Sequence, residues 1–428
     1  MTHWARNSLV LLALAACDGR GPTPTIEPTI AVKTPVYQAR PAPAIEPGVT
    51  YRFVQAQAQR FADATPVDDE EPPIEPIVRV PRSSSESEDG FALVGSVVPP
   101  NSLQQLTWHA SETFSGTSIP TPILVANGIN PGYVLCLTAA VHGDEVNGIE
   151  TVRRVVHNLN TAKLTGTVVA VPIVNMQAFQ RHSRYLPDRR DLNRFFPGHP
   201  KGSSAARIAH GFFSEIISHC DGLVDLHSGS FHRTNLPQLR ADLSDPSVVK
   251  LTEGFGSTVI LHSTGGDGTL RRAAVEIGIP AVTLEAGEPL RVDDEAVSHA
   301  VKGIHTLLDT LGMYNKRSFW GNPEPIYYTS RWIRADQGGI LFSKVKLGKR
   351  VNVGDLLGTV TDPITNERLP IIASHKGRVI GMAVNQFVMP GFATFHIGLE
   401  APVQDATVFD AVDLAHVESL PEDRDELE

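Results

Sequence analysis

Between residues 91 and 313 apolar side chains recur in two alternating patterns. Tyr133-Val-Leu-Cys-Leu-Thr-Ala-Ala-Val141 is an almost unbroken apolar run, as a strand buried on both faces of a sheet requires. Val152, Val155, Val156 and Leu159 then fall at i, i+3, i+4 and i+7. That spacing predicts a helix over 148–160 with one apolar stripe laid on the sheet. Thr167-Val-Val-Ala-Val-Pro-Ile-Val174 is the next strand and completes a βαβ unit. The alternation continues with a helix over 203–218, capped by Ser203 or Ser204, and a strand over 222–226. A helix over 269–277 and a strand over 281–284 follow. Val297, Val301, Ile304, Leu307, Leu308 and Leu311 mark a last long helix that stops near Gly312. The fold class is α/β, with a mostly parallel central sheet flanked by helices.

From about residue 317 to 400 the pattern changes. Segments 338–360 and 376–398 look like two related halves, each made of short alternating strands separated by glycine turns. A small all-β domain of barrel-sandwich type follows from this. The pattern is similar to the fold of biotinyl and lipoyl domains, but the hairpin over 362–374 lacks their lysine attachment motif, which argues against a carrier role. Trp332 and the Tyr327-Tyr328 pair are read as filling this second core.

The ends of the chain differ from the middle. Arg6 followed by the apolar run 8–16 reads as an export signal, because the run is far shorter than the ~20 residues that span a bilayer. Leu14-Ala15-Ala16-Cys17 resembles the lipobox of bacterial lipoproteins, which would make Cys17 the lipidated first residue of the mature chain. Asp18 after it resembles an inner-membrane retention signal. Residues 17–90 carry 12 of the 32 prolines and read as an extended tether. The expected organisation is a signal peptide over 1–16, the tether over 17–90, a catalytic domain over 91–316, a β domain over 317–400 and an acidic tail over 401–428. With three cysteines no disulfide scaffold is available, and Cys136 and Cys220, in apolar contexts beside strands, read as buried free thiols. The net charge is −10, and the acidic clusters at 63–75 and 418–428 carry −6 and −5. The rest is close to neutral, so a basic face for nucleic acid is not expected.

Open α/β sheets place their sites at the carboxyl ends of the strands. His142 and Glu145 follow the first strand, Asn175 the second, His227 ends the third and Glu285 the fourth. A His-x-x-Glu pair with one distant His is a three-ligand set of nitrogen and oxygen donors. It suits a catalytic zinc that keeps its fourth position for water.

The sequence here resembles the succinylglutamate desuccinylase and aspartoacylase family, whose catalytic domain is similar to the zinc carboxypeptidases. The resemblance rests on Ala139-Ala-Val-His-Gly-Asp-Glu-Val-Asn-Gly148, Asp191-Leu-Asn-Arg-Phe-Phe-Pro-Gly198, Asp225-Leu-His-Ser-Gly229 and Thr283-Leu-Glu-Ala-Gly287, in the family's order. It implies zinc on His142, Glu145 and His227, with Glu285 as general base and acid. It also implies Asn193 and Arg194 as a clamp for a substrate carboxylate, and Asp191 as the partner that holds His142. Arg184 resembles the residue that polarises the scissile carbonyl; two extra residues separate it from Asn193, and Arg181 competes for the role. In the resembling deacylases a C-terminal β domain lies beside the active site, and the same is expected here.

Zinc acidifies water, and a nearby carboxylate can take its proton during attack on an amide carbonyl. The expected protein is an exported, lipid-anchored zinc hydrolase acting on an N-acyl amino acid or small peptide, with an ester not excluded. A zinc carboxypeptidase acting on peptides or peptidoglycan fragments is the alternative within the same chemistry. A non-catalytic envelope scaffold is the alternative from another class. The loop 264–269 opens a helix carrying Arg271 and Arg272, and is read equally as a flexible connection or as a specificity element. His232 and His262 lie near the motifs and are read as structural.

Overall fold

The computed structural model describes residues 75–81, 90–112, 118–314 and 325–399. The leader 1–16, Cys17, most of the proline-rich stretch and the acidic tail lie outside the described residues. Within them no helix is long and apolar enough to cross a membrane.

A short hairpin, β1 (Phe91–Leu93) and β2 (Ser96–Val98), comes first. It is followed by β3 (Ser102–Glu112), β4 (Ser118–Asn127), β5 (Asn130–Ala139), β6 (Thr165–Val171), β7 (Gly222–His227), β8 (Arg233–Ala241), β9 (Val259–His262) and β10 (Ala281–Gly287). The C-terminal region adds β11 (Ile326–Tyr327), β12 (Ser330–Arg334), β13 (Gly339–Ser343), β14 (Arg350–Val351) and β15 (Leu356–Thr361). It ends with β16 (Arg368–Ile372), β17 (Gly377–Ala383), β18 (Phe387–Val388) and β19 (Ala393–Leu399). The main sheet runs β12-β19-β17-β8-β10-β7-β5-β6-β4-β3, with β9 beside β8, β11 beside β9 and β14 beside β17.

Parallel pairing is confined to the centre of that sheet and to the β8–β9–β11 branch. β6, β5, β7 and β10 run together, whereas β4 pairs antiparallel with β6, and β8 antiparallel with β10. The sheet is therefore mixed rather than mostly parallel. The apolar runs that mark doubly buried strands belong to the parallel centre. The half-polar outer strands do not show that signal.

Alternate residues of the central strands feed two cores. Val134, Cys136, Val169, Val171 and Leu223 pack on one face beneath the helix Ser204–Glu215. Leu135, Leu137, Val168, Ala170, Val224 and Leu226 pack on the other, beneath the helices Val146–His157 and Asp294–Thr310. Ser203 caps the first of these helices, accepting from the Ala206 amide, and Asp293 caps the last. Gly312, at φ 70°, ends the last helix where the apolar stripe ends.

The C-terminal region is a sandwich rather than a separate barrel. A four-stranded sheet, β16-β15-β13-β18, faces β12, β19 and β17 across a core built on Leu341, Leu357, Val379, Phe395 and Ile397. β17 pairs with β8, so the larger sheet passes without a break from the first region into the second. Tyr327 is buried against Val259, Leu261 and Ile380 where the regions join. Tyr328, expected in the second core, is 49% exposed.

Cys136 and Cys220 form a disulfide, which corrects the reading as free thiols. Cys136 lies on β5 and Cys220 just before β7. Because those strands are parallel neighbours, the two Cα atoms stand 5.8 Å apart although 84 residues separate them. Spacing in the sequence carries no sign of that proximity.

Candidate active site

The parallel strands deliver their ends to one edge of the sheet. β5 leads into His142 and Glu145, β7 closes on His227, and Glu285 on β10 is the ladder partner of His227. The Glu145 carboxylate stands between the two imidazoles, with Oε1 2.8 Å from Nδ1 of His142 and Oε2 2.9 Å from Nδ1 of His227. All three side chains are buried.

The opposite ring nitrogens are held by acids. His142 Nε2 is 3.0 Å from Asp191 Oδ1, and His227 Nε2 is 2.7 Å from Asp225 Oδ2. Asp225 is fixed in turn by the Thr138 hydroxyl at 2.6 Å. These carboxylates draw the ring N–H outward and leave each Nδ1 lone pair facing the centre, as metal-binding histidines require. Two neutral imidazole nitrogens and one carboxylate, their ligand atoms all within 4.8 Å of one another, fit a zinc ion.

The electrostatics show how strongly the three groups attract one another. Burial alone would raise the Glu145 carboxyl, but the facing His142 and His227 outweigh it and hold the group far below the usual carboxylate range. Burial likewise opposes charge on His227; Asp225 and then Glu145 reverse this and raise it well above an ordinary imidazole. The anionic side of the site is thus built to receive positive charge.

Arg184, and not its competitor Arg181, lines the pocket. Its guanidinium reaches Glu145 Oε1 and Asp191 Oδ2, each at 3.1 Å. Asn193 and Arg194 occupy a single 3-10 turn capped by Asp191, whose Oδ1 accepts from the Asn193 amide. The Asn193 Oδ1 accepts from the Leu270 amide at 2.8 Å, which leaves its Nδ2 as the group available to donate into the pocket. Burial pushes the Arg194 guanidinium below its ordinary value, with Asp191 opposing and Arg184 adding to the shift. An anion placed against it would relieve that cost.

The loop 264–269 has a defined part in this. Gly268, at φ 76°, lies so close to the Arg194 backbone that a Cβ there would stand 2.3 Å from its carbonyl oxygen. The Gly268 carbonyl accepts from the Phe196 amide. The loop therefore backs the 193–194 turn, and Arg271 from the helix behind it lines the pocket while Arg272 pairs with Asp267 and Glu276 outside. His262 accepts from the Leu243 amide, and His232 gives its carbonyl to Val384 and Gln386; neither lines the pocket.

Several pocket residues were not singled out from the sequence. Asp225 had a signal, because i and i+2 on a strand share a face with His227. Arg233, Asn235 and Arg240 come from β8, a strand with no apolar run to announce it. Trp332, expected in the second core, instead faces the pocket from β12 and stacks on His396 at 4.4 Å.

Residues 131–311 match the succinylglutamate desuccinylase/aspartoacylase catalytic domain. The matched segment spans His142, Glu145, His227, the 193–194 turn and Glu285. The chain is also 25% identical over 252 residues to the N-alpha-acetyl-L-2,4-diaminobutyric acid deacetylase of Halomonas elongata, covering 56% of this chain and 74% of that protein. Its fold is similar to a succinylglutamate desuccinylase/aspartoacylase from Rhodobacter sphaeroides, with a TM-score of 0.62 at 24% identity over 70% of this chain and 95% of that one. It is similar to the same degree, at 0.62 and 23% identity, to the ectoine utilization protein EutE (DoeB) from Ruegeria pomeroyi, over 71% of this chain and 97% of that one. The fold likeness reaches past the catalytic segment into the C-terminal sandwich.

Proposed function

We propose that this protein is a zinc-dependent deacylase that hydrolyses the amide bond of an acidic N-acyl amino acid. The observation that carries this reading is the meeting of the His142, Glu145 and His227 donors with Glu285 in one pocket. That pocket is lined by five arginines against two carboxylates. The match to a deacylase domain and the likeness to a deacetylase support the same chemistry.

His142, Glu145 and His227 would hold the zinc, which when bound supplies Lewis acidity, acidifying water and polarising a carbonyl oxygen. Glu285 takes the proton of the attacking water and passes it to the departing amine nitrogen. Arg184 stabilises the negative charge that develops on the carbonyl oxygen. Asn193 Nδ2 and the planar fork of Arg194 hold the carboxylate of the amino acid. Arg233, Arg240 and Arg271 add positive charge to the pocket lining, which favours a second acid group on the substrate and disfavours a cationic side chain.

The test is hydrolysis of N-acetyl- and N-succinyl-amino acids with acidic side chains, their C-terminal amides, and short peptides by the zinc-loaded protein. Amidating the acid nearest the scissile bond should slow turnover roughly 10- to 100-fold, since a charge-assisted pair is worth ~1.5–3 kcal/mol. Equal rates on acid and amide would remove the clamp. A preference for peptides would favour the carboxypeptidase alternative, and inertness across the panel would favour the scaffold.

Export and lipid anchoring at Cys17 belong to the same proposal. Arg6, the apolar run before Cys17 and the Cys136–Cys220 disulfide support it, because such bonds persist in oxidising compartments. Labelled palmitate should enter the wild type and not Cys17→Ser when each is expressed in a bacterial host.

A further inference from the structure

We propose that Asn235 is a positioning residue for Glu285, and that the C-terminal sandwich sets Asn235 through Gly381. This rests on the role given to Glu285 above. Asn235 lies on β8, its amide is buried, and its Nδ2 donates to Glu285 Oε2 at 3.0 Å. On the other side of the same carboxylate, Arg240 Nε stands 3.6 Å from Oε1. The β8–β10 ladder shifts register between Glu285 and Gly287, and this brings Asn235, the ladder partner of Gly287, within reach of the carboxylate.

The chemistry gives the amide a specific task. A carboxylate that must first accept a proton and then release it has to keep one orientation in both states. An amide N–H can only donate, so it holds Oε2 as an acceptor throughout and leaves Oε1 to carry the proton.

Asn235 is also the ladder partner of Gly381 on β17. A Cβ at residue 381 would stand 2.7 Å from Asn235 Oδ1 and 3.3 Å from the His396 Cβ. The absence of a side chain there gives the amide its place. The sandwich thereby reaches the proton-transfer group through backbone packing of β17 on β8.

The experiment uses the full chain loaded with zinc and whichever of N-acetyl-L-aspartate, N-acetyl-L-glutamate and N-succinyl-L-glutamate the wild type turns over. Asn235→Ala should lower kcat about 10- to 100-fold with KM changed less than about threefold, as misplacing a catalytic group does. Gly381→Ala should show the same split with a smaller loss. Zinc content should stay at wild-type level in both. In a Glu285→Gln background Asn235→Ala should cost less than about twofold, because a residue acting only through Glu285 has nothing left to position. Equal losses in the two backgrounds, or unchanged kcat in both single variants, would overturn the proposal. Crystal structures of wild type and Gly381→Ala supply a readout that needs no substrate: the Glu285 carboxylate should rotate away from its wild-type orientation. An unmoved Glu285 would also overturn the proposal. A wild type inert on all three substrates would defeat the functional reading alone, leaving the crystallographic comparison to decide the role of Asn235.

Discussion

β10 and β8 lie side by side in one sheet and serve one pocket, yet they reach it from opposite ends. β10 runs parallel with β7 and β5, so its last residues, with Glu285 among them, arrive at the edge where those strands also end. β8 runs the other way, and its first residues, Arg233 and Asn235, meet the same edge. In the proposed function the parallel side contributes the metal donors and the proton carrier. The antiparallel side, continued through β17, β19 and β12, contributes arginines, an amide and Trp332. The reversal of strand direction thus divides the pocket into a side that does chemistry and a side that fits and orients. The division can be attacked from each side.

The heaviest loss is expected on the parallel side. His227→Ala removes one of three donors and strands Glu145 without one of its two imidazole partners. The purified variant should carry no bound zinc by elemental analysis, and turnover should fall by roughly a thousandfold or more, the scale on which enzymes lose a group essential to the chemical step. Full zinc occupancy in this variant would break the ligand assignment, and with it the contrast between the two sides.

Next comes the frame of that side. The Cys136–Cys220 bond ties β5 to the approach of β7, the two strands that lead to His142, Glu145 and His227. A crosslink closing a loop of this length is worth roughly 2–5 kcal/mol. The Cys136→Ala, Cys220→Ala double variant should lose stability of that order in a denaturant titration. Titrations in reducing buffer should bring the wild type toward the variant. No change in either would mean that the parallel centre holds its ligands by packing alone.

The same contrast explains what was legible in the sequence. β5, β6, β7 and β10 are buried on both faces and so announce themselves as apolar runs, with their functional residues directly after them. His142, Glu145, His227 and Glu285 could be found for that reason. β8 could not, because Arg233, Asn235, Pro237, Gln238 and Arg240 interrupt any periodicity; those side chains are polar because they face the pocket or the junction with β17. Trp332 looked like core because an aromatic residue on a short strand usually is. The sandwich was visible as a second unit, but its sharing of the main sheet depends on the pairing of β17 with β8, strands far apart in the chain, which leaves no local trace. The disulfide was missed for the same reason.

On the fitting side the effects should be smaller and of another kind. Trp332 stacks on the His396 ring and has the Arg233 guanidinium 5.1 Å from its own ring. Trp332→Ala should therefore raise KM about three- to tenfold with kcat within about twofold, the pattern of lost uniform binding. A collapse of kcat instead would place this side of the pocket within the chemical machinery.

The smallest effect concerns what lies behind that tryptophan. His396 is buried, its Nε2 lies 2.7 Å from the Ser330 hydroxyl, and burial, followed by Arg240 and Arg233, holds its pKa well below the ordinary imidazole value. The sign follows from linkage. Below about pH 6.5 the unfolded chain binds a proton at this position that the folded chain refuses, so stability rises with pH there and is lost on acidification. The stability of the wild type should thus fall more steeply between pH 7 and pH 5 than that of His396→Gln, by no more than about 1.4 kcal/mol per pH unit, the limit for one proton. Denaturant titrations at matched ionic strength measure the difference in slope. Parallel slopes would show that His396 accepts its proton inside the fold. The wall carrying Trp332 would then tolerate a charge beside Arg233 and Arg240, and the fitting side of the pocket would be less rigid than its packing implies.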